Sequence, residues 1–140
     1  MMVPLAFFVV SLVGFSQAFL DDRCNLMTVS DLSKDSQVIQ MPIPDGCITG
    51  EVEWHYPKGN LLLEARLPAA NSVLCIEESW ATMIGAVMEV TGGMSKPMAL
   101  PTKDSPSCSS QPSAHPQVML TAEDTQYYMT AFKYSIKMIR

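Results

Sequence analysis

The sequence has few of the residues that build catalytic and metal sites. Among its 140 residues there are two histidines, His55 and His115, and no pair of its four cysteines has C-x(2–4)-C spacing. A zinc site needs several Cys or His ligands at such spacing, so we expect no metal ion and no cofactor. No nucleophile can be placed beside a general base either, and the sequence predicts a protein that is not an enzyme.

Basic residues are also scarce, because nine Lys and Arg face fourteen Asp and Glu, for a net charge of −5. An acidic chain lacks the positive surface that nucleic acid requires, so we expect no nucleic-acid partner. The acidic residues form no recognisable run of calcium ligands, and we expect them to lie on solvated faces. The carboxylates in question are Asp45, Glu51, Glu53, Glu77, Glu78 and Glu89.

Long apolar runs are absent except for residues 3–15, near the start of the chain. That run is shorter than the roughly 20 residues needed to span a bilayer. Ser16-Gln17-Ala18 follows it with small residues at the positions that signal peptidase recognises. We therefore predict a signal peptide over residues 1–18, although no Lys or Arg precedes the run, and the alternative is an uncleaved anchor. Residues 19–140 would form one secreted domain without a transmembrane anchor.

All four cysteines lie after residue 18, at Cys24, Cys47, Cys75 and Cys108. An even number of cysteines in a short secreted chain indicates two disulfides. The spacing alone leaves three pairings open.

The segment between Cys47 and Cys75 has the clearest pattern in the chain. Apolar residues and glycine alternate with polar ones before the turn Pro57-Lys58-Gly59, and the alternation resumes after it. A period of two predicts strands with one buried face, and Pro and Gly favour a tight turn. We therefore predict a β-hairpin whose two strands share one core. The predicted buried residues are Ile48, Gly50, Val52, Trp54 and Tyr56 before the turn, and Leu61, Leu63, Ala65 and Leu67 after it.

Several shorter strands are predicted elsewhere. Residues 83–91 also match helical spacing, but their β-branched residues, Gly85 and the Gly92-Gly93 pair that follows favour a strand. Residues 92–116 are rich in proline and serine and predict a long loop or a weak strand pair. Short strands separated by turns are typical of a β-sandwich or barrel. The further predicted strands are residues 38–43 (restricted by prolines to an edge or an end), 73–76, 117–121 and 127–139.

The sequence G-E-V-E-W-H-Y-P-K-G-N-L-L-L at 50–63 resembles the G-x-V-E-W-x-Y-P-x-G-x-L segment in the amino-terminal half of the meteorin family. The four cysteines match the order of the family's first four, and residues 130–134, T-A-F-K-Y, resemble its closing T-G-F-x-Y strand, with Ala131 in place of glycine. The resemblance covers about residues 24–138.

This resemblance implies an all-β fold, a CUB-like antiparallel β-sandwich of jelly-roll type, with disulfides Cys24–Cys47 and Cys75–Cys108. It also implies a secreted signalling protein, neurotrophic or metabolic, that binds a cell-surface receptor. Meteorins continue into a netrin-like domain, whereas this sequence ends at Arg140. The alternatives are therefore a generic extracellular CUB-type binding or adaptor module, or a partial meteorin.

Loops on a rigid scaffold commonly carry recognition, so Lys58 and Asn60 in the 57–60 turn are the candidate binding residues. The simpler interpretation is that this turn only connects two strands. Trp54 lies on the apolar face of the alternation, and we expect it in the core rather than at a binding surface.

Overall fold

The computed structural model describes residues 23–123 and 128–139, so the predicted signal peptide lies outside the described residues. Within them the chain forms ten β-strands and no α-helix. No helix long and apolar enough to cross a membrane occurs in this part of the chain. The strands are β1 (Leu26–Val29), β2 (Val38–Pro42), β3 (Thr49–His55), β4 (Asn60–Glu64), β5 (Ser72–Glu78), β6 (Ile84–Thr91), β7 (Met94–Met98), β8 (Ser107–Cys108), β9 (Gln117–Ala122) and β10 (Met129–Met138).

The strands form two five-stranded sheets that pack as a sandwich. The first sheet has the order β1-β3-β10-β5-β8 and the second β2-β4-β9-β6-β7. Most neighbours are antiparallel, as predicted, but β1 runs parallel to β3 and β2 runs parallel to β4. The inner faces of both sheets supply one hydrophobic core, and its largest fully buried side chains are Trp54, Tyr134, Phe132, Leu61, Leu63, Leu74, Ile76 and Leu120.

The predicted β-hairpin at residues 48–67 is wrong, because β3 and β4 belong to different sheets. Residues 56–59 carry the chain across the core from one sheet to the other. The predicted shared core is nevertheless confirmed, since Val52 and Trp54 of β3 and Leu61 and Leu63 of β4 are all fully buried. Alternation defines which face of a strand is buried but not which strand lies beside it, so both arrangements satisfy the same pattern.

The predicted buried face also fails at both ends of β3. Ile48 precedes the strand and is 66% exposed, and Tyr56 follows it and is 45% exposed. Tyr56 has a φ of +49°, in the left-handed region, which turns its side chain away from the alternation. Leu67 is only partly buried, beyond the end of β4.

Both predicted disulfides are formed, Cys24–Cys47 and Cys75–Cys108. Cys75 and Cys108 lie opposite each other on β5 and β8, so this bond fastens the edge of the first sheet. Near the other bond, the Tyr134 hydroxyl donates a hydrogen bond to the Cys24 carbonyl at 2.6 Å. A side chain at Gly50 would meet that carbonyl at 2.0 Å, which explains the glycine in an otherwise regular strand.

One agreement and two differences concern the weaker parts of the pattern. Residues 83–91 contain strand β6, as predicted. Met94–Met98 forms β7, which pairs with β6 as a true hairpin through Gly92 and Gly93. Leu26–Val29 forms the edge strand β1, which the pattern did not predict. Its four residues are too few for a periodicity to stand out, and half of them are exposed.

Candidate functional site

A cleft with a volume of about 910 Å³ lies at one end of the sandwich. Three segments form its walls: the crossing at residues 56–60, the loop between β1 and β2, and the residues that end β9 and precede β10. Its lining includes Leu32, Asp35, Val38, Tyr56, Lys58, Asn60, Glu123 and Tyr128.

Ser30 anchors the crossing to the core. Its buried hydroxyl accepts hydrogen bonds from the Trp54 indole nitrogen at 2.8 Å and from the Lys58 backbone nitrogen at 3.1 Å, and it donates to the Lys58 carbonyl at 3.2 Å. A hydroxyl has one proton and two lone pairs, so these contacts use its full capacity. The position of the cleft wall therefore depends on a core tryptophan.

Lys58 lies in the cleft wall, with its ammonium group engaged by the facing loop. Its Nζ atom donates to the Leu32 carbonyl at 2.8 Å and lies 2.8 Å from Asp35 Oδ1. The hydrogen bond from Lys58, together with its positive charge, lowers the pKa of Asp35 below its ordinary value. Asp35 is therefore ionised at neutral pH.

Asn60, the second predicted binding residue, lines the same cleft. Its backbone nitrogen donates to the Gln37 carbonyl at 2.9 Å, and its side-chain oxygen accepts a hydrogen bond from Thr121 at 2.7 Å. The structure thus brings Lys58 and Asn60 together, but both side chains also hold the cleft walls in place.

The loop between β1 and β2 is braced by its own hydrogen bonds. The Gln37 amide nitrogen donates to the carbonyls of Asp31 and Lys34, each at 2.7 Å, and its oxygen accepts from the Asp31 nitrogen at 2.9 Å. The Ser33 hydroxyl and then its backbone nitrogen donate to the Asp31 carboxylate, and these bonds lower the Asp31 pKa. This wall of the cleft is therefore organised before any ligand arrives.

Two tyrosines form the aromatic part of the cleft. The rings of Tyr56 and Tyr128 have centroids 6.2 Å apart and are inclined by 75°, an edge-to-face contact. The Tyr56 backbone nitrogen also donates to the Tyr128 carbonyl at 2.8 Å. Tyr128 is 84% exposed. The sequence pattern placed Tyr56 on a core-facing position, but this residue lies just past the end of β3, where the alternation no longer constrains direction.

The expectation that the carboxylates lie on solvated faces is wrong for Glu89. It is only 4% exposed and faces inward from β6. Burial alone would raise its pKa, but hydrogen bonds from the Ser110 hydroxyl and from the backbone nitrogens of Ser110 and Gln111, with the nearby Lys96 charge, lower the pKa overall. Glu89 therefore fixes the segment after Cys108 to the second sheet.

A smaller cavity of about 210 Å³ adjoins Glu89 and includes His115. His115 Nε2 lies 3.3 Å from Glu64 Oε2, which also accepts a hydrogen bond from Gln117 at 2.9 Å. The other histidine, His55, lies on the outer face of β3 with its Nε2 atom 3.5 Å from Glu53 Oε2. Within the described ranges, no three His, Cys, Asp or Glu side chains form a cluster that could hold a metal ion.

A third cavity, of about 420 Å³, lies beside the exposed Trp80. The indole nitrogen of Trp80 donates to Glu51 Oε1 at 2.8 Å, and the ring is 70% exposed. Its lining residues include Lys103, Lys133 and Glu78, so charges of both signs surround the ring. It shares no lining residue with the large cleft, so Trp80 is an exposed aromatic residue outside that cleft.

A scan against models of protein families and a search of curated proteins both found no match to this sequence.

Proposed function

We propose that this protein is a secreted, meteorin-like signalling protein that acts by binding a cell-surface partner through the large cleft. The observation that carries the proposal is the combination of a cleft of about 910 Å³ with the exposed Tyr56–Tyr128 pair at its wall. Tyrosine provides a large, rigid contact area and is enriched in protein-binding sites.

The composition of the cleft supports binding rather than catalysis. Neither histidine and none of the cysteines is among its lining residues, and all four cysteines are joined in disulfides. The cleft therefore offers shape, aromatic surface and charge to a partner. Braced walls reduce the conformational entropy lost when a partner binds.

The two disulfides support an extracellular location, because such bonds persist mainly in oxidising compartments. The signal peptide predicted over residues 1–18 is consistent with the same location. A test of secretion is to express the complete chain in mammalian cells and to look for the oxidised protein in the medium, with its amino terminus near Phe19.

The binding test uses the oxidised protein on cell surfaces and replaces exposed side chains in the cleft. Tyr128→Ser should weaken binding by about tenfold or more, as expected for an aromatic contact at the centre of an interface. Trp80→Ser, which removes another largely exposed aromatic ring outside the cleft, should leave binding unchanged. Loss of binding with Trp80→Ser alone would move the site to the outer face of the first sheet and contradict the proposal.

Lys58 and Asn60 need a different experiment, since each holds a cleft wall. Replacing both should weaken cell-surface binding, but it also removes the contacts to Leu32, Asp35 and Thr121. Melting temperature must therefore be measured on the same double variant. The protein should remain folded at the temperature of the binding assay, and full binding by a folded double variant would place the contact elsewhere.

The alternative function, a generic CUB-type adaptor, is distinguished by the cellular response. A signalling protein should produce receptor phosphorylation or another rapid response that Tyr128→Ser abolishes. Binding to extracellular matrix or soluble proteins without such a response would favour the adaptor. Binding that survives reduction and unfolding would refute both alternatives, because both require the folded domain.

A further inference from the structure

The charges around the cleft are unequal. Two carboxylates, Asp35 and Glu123, and one ammonium group, that of Lys58, are among its lining residues. Lys58 is committed to Asp35 and to the Leu32 carbonyl. One negative charge therefore remains in excess in the described part of the cleft, and an acidic ligand would be repelled.

The aromatic and aliphatic side chains define what else the ligand must offer. Tyr128 is largely exposed, so at least one face of its ring is uncovered, and a cation within about 6 Å of such a face is attracted to it. Leu32 and Val38 are exposed apolar residues of the same lining. A ligand with an aliphatic stem and a cationic head matches both features.

A purely apolar ligand fits less well. It would displace water from the carboxylates of Asp35 and Glu123 without replacing the lost hydrogen bonds, and this desolvation is unfavourable. A basic side chain supplies donors and charge to the same groups.

The backbone conformation of Tyr56 is a separate indication that the cleft wall at this residue is used for recognition. Tyr56 is the only non-glycine residue with a positive φ in the part of the chain that the structure describes. Such conformations cost of order 1–3 kcal/mol, and they concentrate at functional sites. Here the strained residue places a ring at the cleft wall instead of in the core.

We propose that the cleft binds an arginine or lysine side chain presented by an extended segment of the partner protein. Pockets of about 300–1,000 Å³ enclose drug-sized ligands, and the cleft lies within this range, so it has room for a basic side chain together with its flanking backbone. The inference rests on the proposed function, because it names the chemistry of the partner that the cleft would bind.

The test measures the binding of blocked pentapeptides to the full oxidised protein by nuclear magnetic resonance, with the ring signals of Tyr56 and Tyr128 as reporters. The probes are acetyl-Gly-Gly-Arg-Gly-Gly-amide and the same peptide with citrulline, which keeps the shape of arginine without its charge. The arginine peptide should bind at least about fivefold more tightly than the citrulline peptide. Equal binding, or no shift of the tyrosine signals with either peptide, would overturn the inference.

Matched variants separate the cation–aromatic contact from simple apolar packing. Tyr128→Phe keeps a ring face and should retain the preference for arginine, whereas Tyr128→Leu should lose it. Glu123→Gln should weaken arginine binding severalfold, while Glu77→Gln, outside the cleft lining, should not. A preference for arginine that persists in Tyr128→Leu and in Glu123→Gln would overturn the inference.

Cell-surface binding distinguishes failure of this inference from failure of the proposed function. If Tyr128→Ser abolishes cell binding but Tyr128→Leu retains it and the citrulline peptide binds as well as the arginine peptide, the cleft binds its partner by apolar contact and only the basic ligand is wrong. If every cleft variant binds cells normally, the cleft is not the functional site, and both proposals fail.

Discussion

The turn at residues 56–59 and the turn at residues 92–93 use similar glycines for different purposes. Gly59 has a φ of +78° and Gly93 a φ of +81°, so both occupy the left-handed region that favours glycine. The first turn carries the chain from one sheet to the other, and the second joins β6 to β7 in a hairpin. The sequence predicted a hairpin at the first turn, and at the second it predicted the start of a long loop or a weak strand pair over residues 92–116.

The surroundings of the two glycines explain the difference. A side chain at Gly59 would lie 2.5 Å from the Gln37 carbonyl, because the β1–β2 loop packs directly against the crossing. A side chain at Gly93 would meet nothing within 4 Å. The hairpin turn therefore needs only a backbone conformation, while the crossing also needs space for another segment.

The comparison also explains why the cleft lies at the first turn. A crossing brings the ends of two different sheets together, and loops from both sheets can then form opposing walls. A hairpin extends a single sheet and supplies one wall at most. Variants that affect the two turns differently therefore test the architecture and the site together.

The largest effect is expected for Trp54→Ala, which removes the core side chain that anchors the crossing through Ser30. Truncating a fully buried tryptophan should lower the free energy of unfolding by about 3–5 kcal/mol, measured by chemical denaturation. Glu53→Ala, on the opposite face of β3, should change it by no more than about 0.5 kcal/mol. A reversed order would mean that the strand register is shifted by one residue.

The next largest loss of stability is expected at Gly59, and it can be compared directly with the loss at Gly93. Gly59→Ala should cost about 2–4 kcal/mol, because backbone strain is added to a clash with the Gln37 carbonyl. Gly93→Ala should cost about 1 kcal/mol from strain alone. Thermal or chemical unfolding of the two variants measures the difference, and equal costs would show that the crossing is not packed against the β1–β2 loop.

A smaller effect is expected for Ser30→Ala, which leaves the Trp54 indole nitrogen and the Lys58 backbone nitrogen without their acceptor. An unsatisfied buried donor costs about 1–3 kcal/mol, so we expect a loss of about 2 kcal/mol in chemical denaturation. The control is Ser95→Ala on the exposed strand β7, with an expected change below about 0.5 kcal/mol. Ser30→Ala should also weaken cell-surface binding, since the cleft wall loses its anchor. A loss of stability without any effect on binding would show that the crossing at residues 56–59 does not contribute to the binding site.

The smallest change in stability is expected for Glu89 on β6, one strand of the β6–β7 hairpin, and this change depends on pH. Glu89→Gln should cost about 1–2 kcal/mol at neutral pH, because a charged acceptor of hydrogen bonds is replaced by an amide. The folded-state pKa of Glu89 is lowered from its ordinary value of 4.5. Its contribution to stability is therefore present above pH 4.5 and is lost as the pH falls through the folded-state pKa.

Denaturation curves of wild type and Glu89→Gln should accordingly converge as the pH is lowered from 7 to 3. Glu77→Gln should stay within about 0.5 kcal/mol of wild type at neutral pH. A difference that grew with decreasing pH would contradict the assignment of Glu89 as a buried, ionised anchor.

Much of the fold could be predicted because side-chain alternation is a local property. Val52, Trp54, Leu61 and Leu63 were assigned to the core from their spacing, and all are buried. The same logic assigned Tyr56 to a core-facing position, but it lies past the end of β3 and is exposed. Glu89 shows the converse, because no pattern in the sequence distinguishes a carboxylate that will meet Ser110 from one that will meet water.

The sequence by itself determined the all-β class, the buried faces of the central strands and the presence of four cysteines available for pairing. These follow from a period of two and from residue chemistry, which act over a few residues. The tertiary structure alone decided which sheet each strand joins and where the crossing leaves a cleft. It also decided which polar side chains are buried and which line the cleft. Those outcomes depend on contacts between residues far apart in the chain, such as Ser30 with Trp54 and Gly59 with Gln37, and no local pattern encodes them.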